Sequence, residues 1–399
     1  MKGLLAFHGD AIEEAVFWNR VDLLELDVDL VFYDAITAWF ETDEADVASH
    51  EWRGLTFDPL RQRGHSEEGR DNHPQEADDP SLQERASGNA RGDPQVVVAL
   101  AVTRASAAAG RVRFANRIDR LLTIDGIPVR SWIFPGNTPD VATVRKVKND
   151  LRDMRAHPAK QASRGPRLSR TLFVGDAGLY SKANLEELAK GAGKYILATP
   201  IRRITMRGSG TPHPKGEIKD EVLSHPGRYA EIAPDLRAKE VVLGGGERRR
   251  RYILCLNQEE AERQKWRRAA LLETLEAELD ALKADHPKRA CQLLSSRRSA
   301  PYLGQDENGR PYLDRDKVRR AEQLDGKFVL TANDDSLSVA DMALGYKGMW
   351  IIESCFRRMK TTGLARGAAG TPQPRWEVRP MFHWMPQRIT AHSSSASSH

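Results

Sequence analysis

Three carboxylates stand where an acid needs a reason. Asp34 lies inside the apolar, β-prone run VDLVFYDAITAWFE, Asp176 closes the short run TLFVGD, and Glu353 interrupts the apolar stretch MWIIESCF. Burying a charge without a partner is costly, so each position calls for a capping hydrogen bond, an ion pair or a chemical task. Singly, a capped or paired carboxylate accounts for any of them. Together, three hard oxygen donors on separate segments could hold divalent cations. Paired Mg²⁺ ions about 3.5–4 Å apart serve phosphodiester cleavage by activating a water on one side of the phosphorus and stabilising the leaving oxygen on the other.

The glutamate segment carries a further pattern. Tyr346, Glu353 and Lys360 recur every seven residues, close to two helical turns, so they share a face of a helix expected from about 338 to 362. Ser338, with Asp341 three residues on, resembles a capping-box start for it. A phenol, a carboxylate and an ammonium on one face suit a site that grips a metal and a phosphate backbone together. A Glu–Lys-decorated amphipathic helix has the same spacing. Arg248, Arg249 and Arg250 form a basic run beside a strand, readable as a solvated face or as DNA contact. The cluster Arg263, Lys265, Arg267 and Arg268 around Trp266 has the same two readings. His65, His73 and His383 lack ligand spacing, and Trp132 reads as core.

The elements that must position these residues alternate between helix and strand. Residues 11–26 have helical spacing and feed the Asp34 strand. QVVVALAVT (95–103) and IPVRSWIF (127–134) read as a hairpin with Asp125-Gly126 as its turn, lengthened by an inserted tip. Residues 140–154 read as a helix with Asp140 in its first turn. TLFVGD then reads as a parallel-type strand, SKANLEELAKGA as a helix capped by Ser181, and KYILAT as the next strand. From 201 to 325 short β runs precede a long amphipathic helix near 258–284, an inserted block. The α/β pattern resumes with KFVLTAN (327–333). The expected division is a catalytic core over 1–200, the insertion over 201–325, the rest of the core over 326–392 and a disordered tail over 393–399. Loop insertions fall near 76–93, 105–124 and 156–169.

Composition bounds the rest. The 399 residues are 40% hydrophobic, enough for a core. A net charge of +5 arises from 61 basic against 56 acidic side chains, a weak bias toward a polyanionic partner. Three cysteines without a CxxC pair argue against a disulfide framework or zinc site and fit a reducing cytoplasm. No apolar run approaches the ~20 residues that span a bilayer.

These motifs resemble those of insertion-sequence transposases, the group founded on insertion sequence four. YKGMWIIESCFRRMK is similar to the Tyr-x2-Arg-x3-Glu-x6-Lys signature, with Tyr346, Glu353 and Lys360 on the Tyr, Glu and Lys positions. FYDAIT looks like the first-acid motif, TLFVGDAGLYS like the second, and GNTPD (136–140) like an element between them. The resemblance spans roughly residues 11–392. It implies an α/β, RNase H-like catalytic core, a mixed sheet with flanking helices, carrying a β-rich and helical insertion. It also implies a DDE triad of Asp34, Asp176 and Glu353 as catalytic residues and ligands of two Mg²⁺ ions, with Mn²⁺ as substitute. Asp34 would bridge the ions. Tyr346, Lys360 and Arg357, with Arg248, Arg249 and Arg250, would contact DNA. The implied partners are double-stranded transposon ends and target DNA, with a homodimer on paired ends, in a bacterial cytoplasm and at its nucleoid.

The chain departs from the pattern in places. Ala35 and Ile36 replace small hydroxyl residues after the first acid, and Met349 stands where the signature has arginine. Residues 76–93, 105–124 and 365–376 interrupt the resemblance. Little chain precedes the first acid, and the terminus SSSASSH replaces expected apolar helix. The sequence therefore admits an active transposase, an inactive DNA-binding remnant, or an unrelated hydrolase using two acids without metal.

Overall fold

Alternating large apolar side chains make the first long strand, β1 (Leu26–Trp39), and demand cover on both of its faces. Leu30 and Phe32 point one way and Val31 and Tyr33 the other, yet all four are buried. The computed structural model describes residues 2–23, 26–39, 45–63, 94–107, 127–155, 172–201, 229–243, 250–282, 287–296, 298–354, 365–366, 372–373 and 385–397. They fall in two compact units. The first comprises Met1–Leu197, Ala332–Ser336 and Leu344–His399, and the second Ala198–Thr331 and Leu337–Ala343.

The first unit opens with α1 (Lys2–Leu23), followed by β1, a small hairpin of β2 (His50–Trp52) and β3 (Leu55–Phe57), and β4 (Gln62–Arg63). Then come β5 (Pro94–Ala107), β6 (Ile127–Pro135), α2 (Asp140–Arg155), β7 (Leu172–Gly175), α3 (Lys182–Ala189) and β8 (Lys194–Thr199). β5 lies antiparallel between β1 and β6, β7 is parallel to β1, and β8 is parallel to β7. The long strands therefore run β6–β5–β1–β7–β8, a mixed sheet with flanking helices. The α/β expectation is met at that level.

On the Tyr33 face, Phe17 and Trp18 of α1, Val144, Val147 and Leu151 of α2, and Leu188 of α3 close one core with Trp132 and Phe173. The Tyr33 hydroxyl donates to Thr143 Oγ1 at 2.7 Å, and Trp132 Nε1 donates to Asp150 Oδ2 at 2.8 Å. Trp132 is thus core, as its sequence context indicates. Ser181 caps α3 by accepting from the Asn184 amide.

The second unit holds β9 (Ala230–Ala233), β10 (Leu236–Leu243), β11 (Arg250–Asn257), α4 (Gln258–Asp280), α5 (Pro287–Ser295), the pair β12 (Leu303–Gln305) and β13 (Pro311–Leu313), α6 (Arg315–Gln323) and most of β14 (Lys327–Ala332). Its sheet is antiparallel, with β11 between β10 and β14. Asn257 caps α4 by accepting from the Glu260 amide. A separate leucine cluster, Leu275, Leu293 and Leu303, ties α4 to α5 and β12.

After β14, α7 (Val339–Lys347) begins with the expected reciprocal cap: Ser338 N donates to Asp341 Oδ2 and Asp341 N to Ser338 Oγ, both at 3.0 Å. The single helix expected to 362 is corrected. α7 stops at Lys347, residues 348–349 form a turn, and helix resumes over 350–354. Bonds from Met349 N to Tyr346 O and from Ile351 N to Gly348 O tighten the chain to three-residue spacing there. The cause is Gly348, where an added Cβ would lie 2.6 Å from Phe32 Cζ. The chain presses onto β1 too closely to continue as a regular helix.

Two further expectations shift. β5 runs to Ala107, paired with Leu26, so the hairpin tip starts later than residue 105. After the short pair β15 (Ala365–Arg366) and β16 (Pro372–Gln373), α8 (Pro386–Ser397) continues through the serines expected to be a disordered tail. It packs on α1, with Ile389 and Ala391 buried, and a helix so anchored propagates at one bond per residue. The Asp125-Gly126 turn and the segments 76–93 and 156–169 lie outside the described residues.

Candidate functional site

Strand register brings the first two acids together. β1 and β7 pair in parallel up to Tyr33 opposite Gly175, so Asp34 and Asp176 are the next residues on adjacent strands. Neighbouring strands lie ~4.8 Å apart, and residues at one level project to the same face. That face is the Phe32 face, opposite the α2 core. Asp34 itself is half-buried, with one oxygen accepting from the Ala35 amide at 2.8 Å. Asp176 follows β7 with extended backbone and caps a turn over Ala177–Leu179, accepting from the Gly178 amide at 2.9 Å. Gly175, the last residue of β7, leaves room for the turn that follows, since a Cβ there would meet Leu179 Cδ1 at 2.6 Å.

A third acid on the spot was not among those assigned from sequence. Asp140, the first residue of α2, sends Oδ2 to within 3.3 Å of where a Cβ on Gly178 would sit, and Asp176 Oδ1 reaches 3.2 Å of the same point. Its signal was present in GNTPD and in its first-turn position. A helix-start acid is so commonly electrostatic that the pattern alone did not mark it.

The charges register on Asp34. Burial is the largest cause of its raised pKa, the Asp176 carboxylate the next, and Asp140 and then Glu353 add smaller repulsions. The group is pushed up to about 7. Burial, the neighbouring acids and the loss of water also hold the Tyr33 phenol far above its ordinary range, against the bond to Thr143.

The segment that leads to Glu353 packs on the same side of the sheet. A Cβ added at Gly345 would lie 3.4 Å from Ile196 Cδ1, and one at Gly348 would meet Phe32, so the chain over 345–348 lies on the face that carries Asp34. Asn333 anchors the preceding return. Its Oδ1 accepts from Tyr195 N at 2.9 Å and its Nδ2 donates to Gly193 O at 2.8 Å. Within residues 350–354, Ile351 and Ile352 are buried and Glu353 is exposed. The turn at 348–349 separates Tyr346 from Glu353, so the two do not share one uninterrupted helical face. Met349, on the signature's arginine position, is 6% exposed and packs inward.

Among the described residues, no group of three or more His, Cys, Asp or Glu side chains is arranged to hold a metal ion. Asp34, Asp176 and Asp140 nevertheless form an electronegative edge whose mutual repulsion a cation would relieve. Arg250 begins β11, opposite Leu243. Lys360, Arg357, Arg248 and Arg249 lie outside the described residues, as do His65, His73 and His383. No helix among the described residues is long and apolar enough to cross a membrane.

Fold and site together define an α/β protein with acidic side chains gathered where β7 ends beside the middle of β1. The chain matches no known family model and no curated protein.

Proposed function

We propose that the protein is a DNA transposase of the insertion-sequence-four type that cleaves DNA strands and joins them to target DNA with divalent metal ions. The observation that carries this reading is the β1–β7 register, whose last pair, Tyr33 opposite Gly175, immediately precedes Asp34 and Asp176. The strand arrangement with its flanking helices supports an RNase H-like core. Asp34 and Asp176 would hold the metal between them, and Glu353, on the segment packed over that face, would complete the set. Bound Mg²⁺ or Mn²⁺ would supply Lewis-acid stabilisation of charge on the phosphate oxygens. The protein's own part is to aim Asp34 toward that position, fixed by the Ala35 amide, and to orient Asp176 through the Gly178 amide. Tyr346 and the basic residues Lys360, Arg357, Arg248, Arg249 and Arg250 would steady the DNA backbone, with two copies acting on paired ends.

One observation favours a second reading, an inactive DNA-binding remnant: the signature arginine is replaced by the buried Met349, which offers no phosphate contact. Nicking of supercoiled plasmid in Mn²⁺ separates the two. Transposase chemistry requires metal-dependent nicks that vanish with Asp34→Asn and with Asp176→Asn. Plasmid retardation on a gel, with no nicks from the unaltered protein, supports the remnant.

A further inference from the structure

The second unit contains a cleft of about 420 Å³ between α4, α5 and the turn that follows α5. Its floor is apolar, made by Leu271, Leu275 and Leu293, whose side chains belong to the cluster joining these helices. Its rim is cationic. Arg289 stands in the first turn of α5 and Arg298 just beyond its end, both exposed, and among the described residues neither is in an ion pair. Glu278 is the sole lining acid among the described residues, half-buried on α4, and Gln292 lies on α5 beside it in the lining.

The turn that carries Arg298 is well built. Ser299 is buried, and its hydroxyl donates to Leu293 O at 2.6 Å; Arg298 N donates to Ser296 Oγ at 3.2 Å, and Ala300 N to Ser296 O at 2.9 Å. Arg298 therefore rises from a fixed base. Two exposed guanidinium groups on the rim of one cleft, with Glu278 the one acid in its lining among the described residues, offer charged donors suited to a phosphate. A leucine floor beneath them wants a flat apolar body, and the volume matches a small ligand.

We propose that this cleft binds a nucleotide, with Arg289 and Arg298 taking the phosphate, the leucine floor taking the base, and Glu278 and Gln292 meeting the base edge. A carboxylate accepts hydrogen bonds, so Glu278 favours bases that present an exocyclic amino group, such as adenine, cytosine or guanine, over uracil, whose one edge N–H lies between two carbonyl oxygens. The residues involved are separate from the acids of the first unit, so binding is read without reference to strand cleavage. A free nucleotide and a unit of a nucleic-acid strand offer the same phosphate and base.

The test is calorimetric titration of the full-length protein with AMP, UMP and inorganic phosphate, and fluorescence anisotropy with a labelled single-stranded oligonucleotide. AMP should bind more tightly than UMP by about threefold and than phosphate by at least about tenfold. Arg289→Ala with Arg298→Ala should weaken AMP by about tenfold or more at unchanged thermal midpoint, since both side chains are exposed. Glu278→Gln should erase the preference for AMP over UMP while retaining binding. Oligonucleotide binding that falls with the arginine pair identifies a strand as a ligand of the cleft; binding indifferent to them leaves the free nucleotide. Phosphate binding as tightly as AMP, no saturable AMP binding, or AMP binding that ignores the arginine pair overturns the proposal.

Discussion

Two stretches of the first unit bring acids toward one face by different means. At the β1–β7 edge, backbone pairing sets Asp34 and Asp176 side by side, and each carboxylate is tied to a backbone amide. Over 344–354 the position of Glu353 depends on how closely a glycine-containing turn presses on Phe32. The first arrangement is dictated by the ladder between strands, the second by the turn's own short backbone bonds and its packing on Phe32. Strand register is quantised, because a slip of one residue in either strand would put the two acids on opposite faces. A packed turn has no such lock. The repulsions on Asp34 follow the same order, with Asp176 strongest and Glu353 weakest.

The sharpest way to break this contrast is to neutralise the strand pair. Asp34→Asn or Asp176→Asn should lower metal-dependent nicking by about 10³-fold or more, because each removes a ligand rather than an orienting contact. Glu353→Gln should fall in the same assay, and its cost relative to the two aspartates measures how far the packed turn completes the set.

A second effect is thermodynamic. The folded Asp34 is pushed up to about 7, above an ordinary carboxylate, so the folded state retains a proton that the unfolded state has lost. Stability contributed by protonated Asp34 is then complete below about pH 4 and is lost as pH rises toward about 7, with no further loss above. Asp34→Asn, which cannot ionise, should be more stable than the parent at pH 8 by on the order of 2–4 kcal/mol and nearly equal to it at pH 4. Urea unfolding at the two pH values checks this. An equal difference at both would remove the charge explanation. Divalent cation should recover part of the parent's deficit at pH 8 by binding the folded state, and should not do so for Asp34→Asn.

Smaller effects test the packed turn. Gly348→Ala sets a methyl against Phe32 and should cost about 1–3 kcal/mol by chemical denaturation. Met349→Arg, which restores the signature residue, buries a cation in place of a packed methionine. It should destabilise by about 2 kcal/mol or more without restoring DNA affinity. If this variant is instead stable and binds plasmid more tightly, the turn is looser than its packing implies.

How far the sequence could be read follows from the same contrast. Asp34 in mid-strand, Asp176 at a strand end, the Ser181 cap and the Ser338–Asp341 box each rest on a local pattern with one structural outcome, and the structure has them where those patterns put them. The break at 348–349 was not legible, since MWIIESCF is a sound helical run and the obstacle, Phe32, is more than three hundred residues away in sequence. Asp140 was visible as a helix-start acid, but its approach to Asp176 arises only when α2 and β7 converge at Gly178. The serine-rich end of α8 carries little helical signal and is helical in continuation of a turn anchored on α1.

The most direct test of the central claim is an anomalous-difference map from crystals of the protein grown with Mn²⁺. The account predicts a peak shared by the carboxylates of Asp34 and Asp176. A map with Mn²⁺ elsewhere, or with the two carboxylates bare at saturating Mn²⁺, would contradict it.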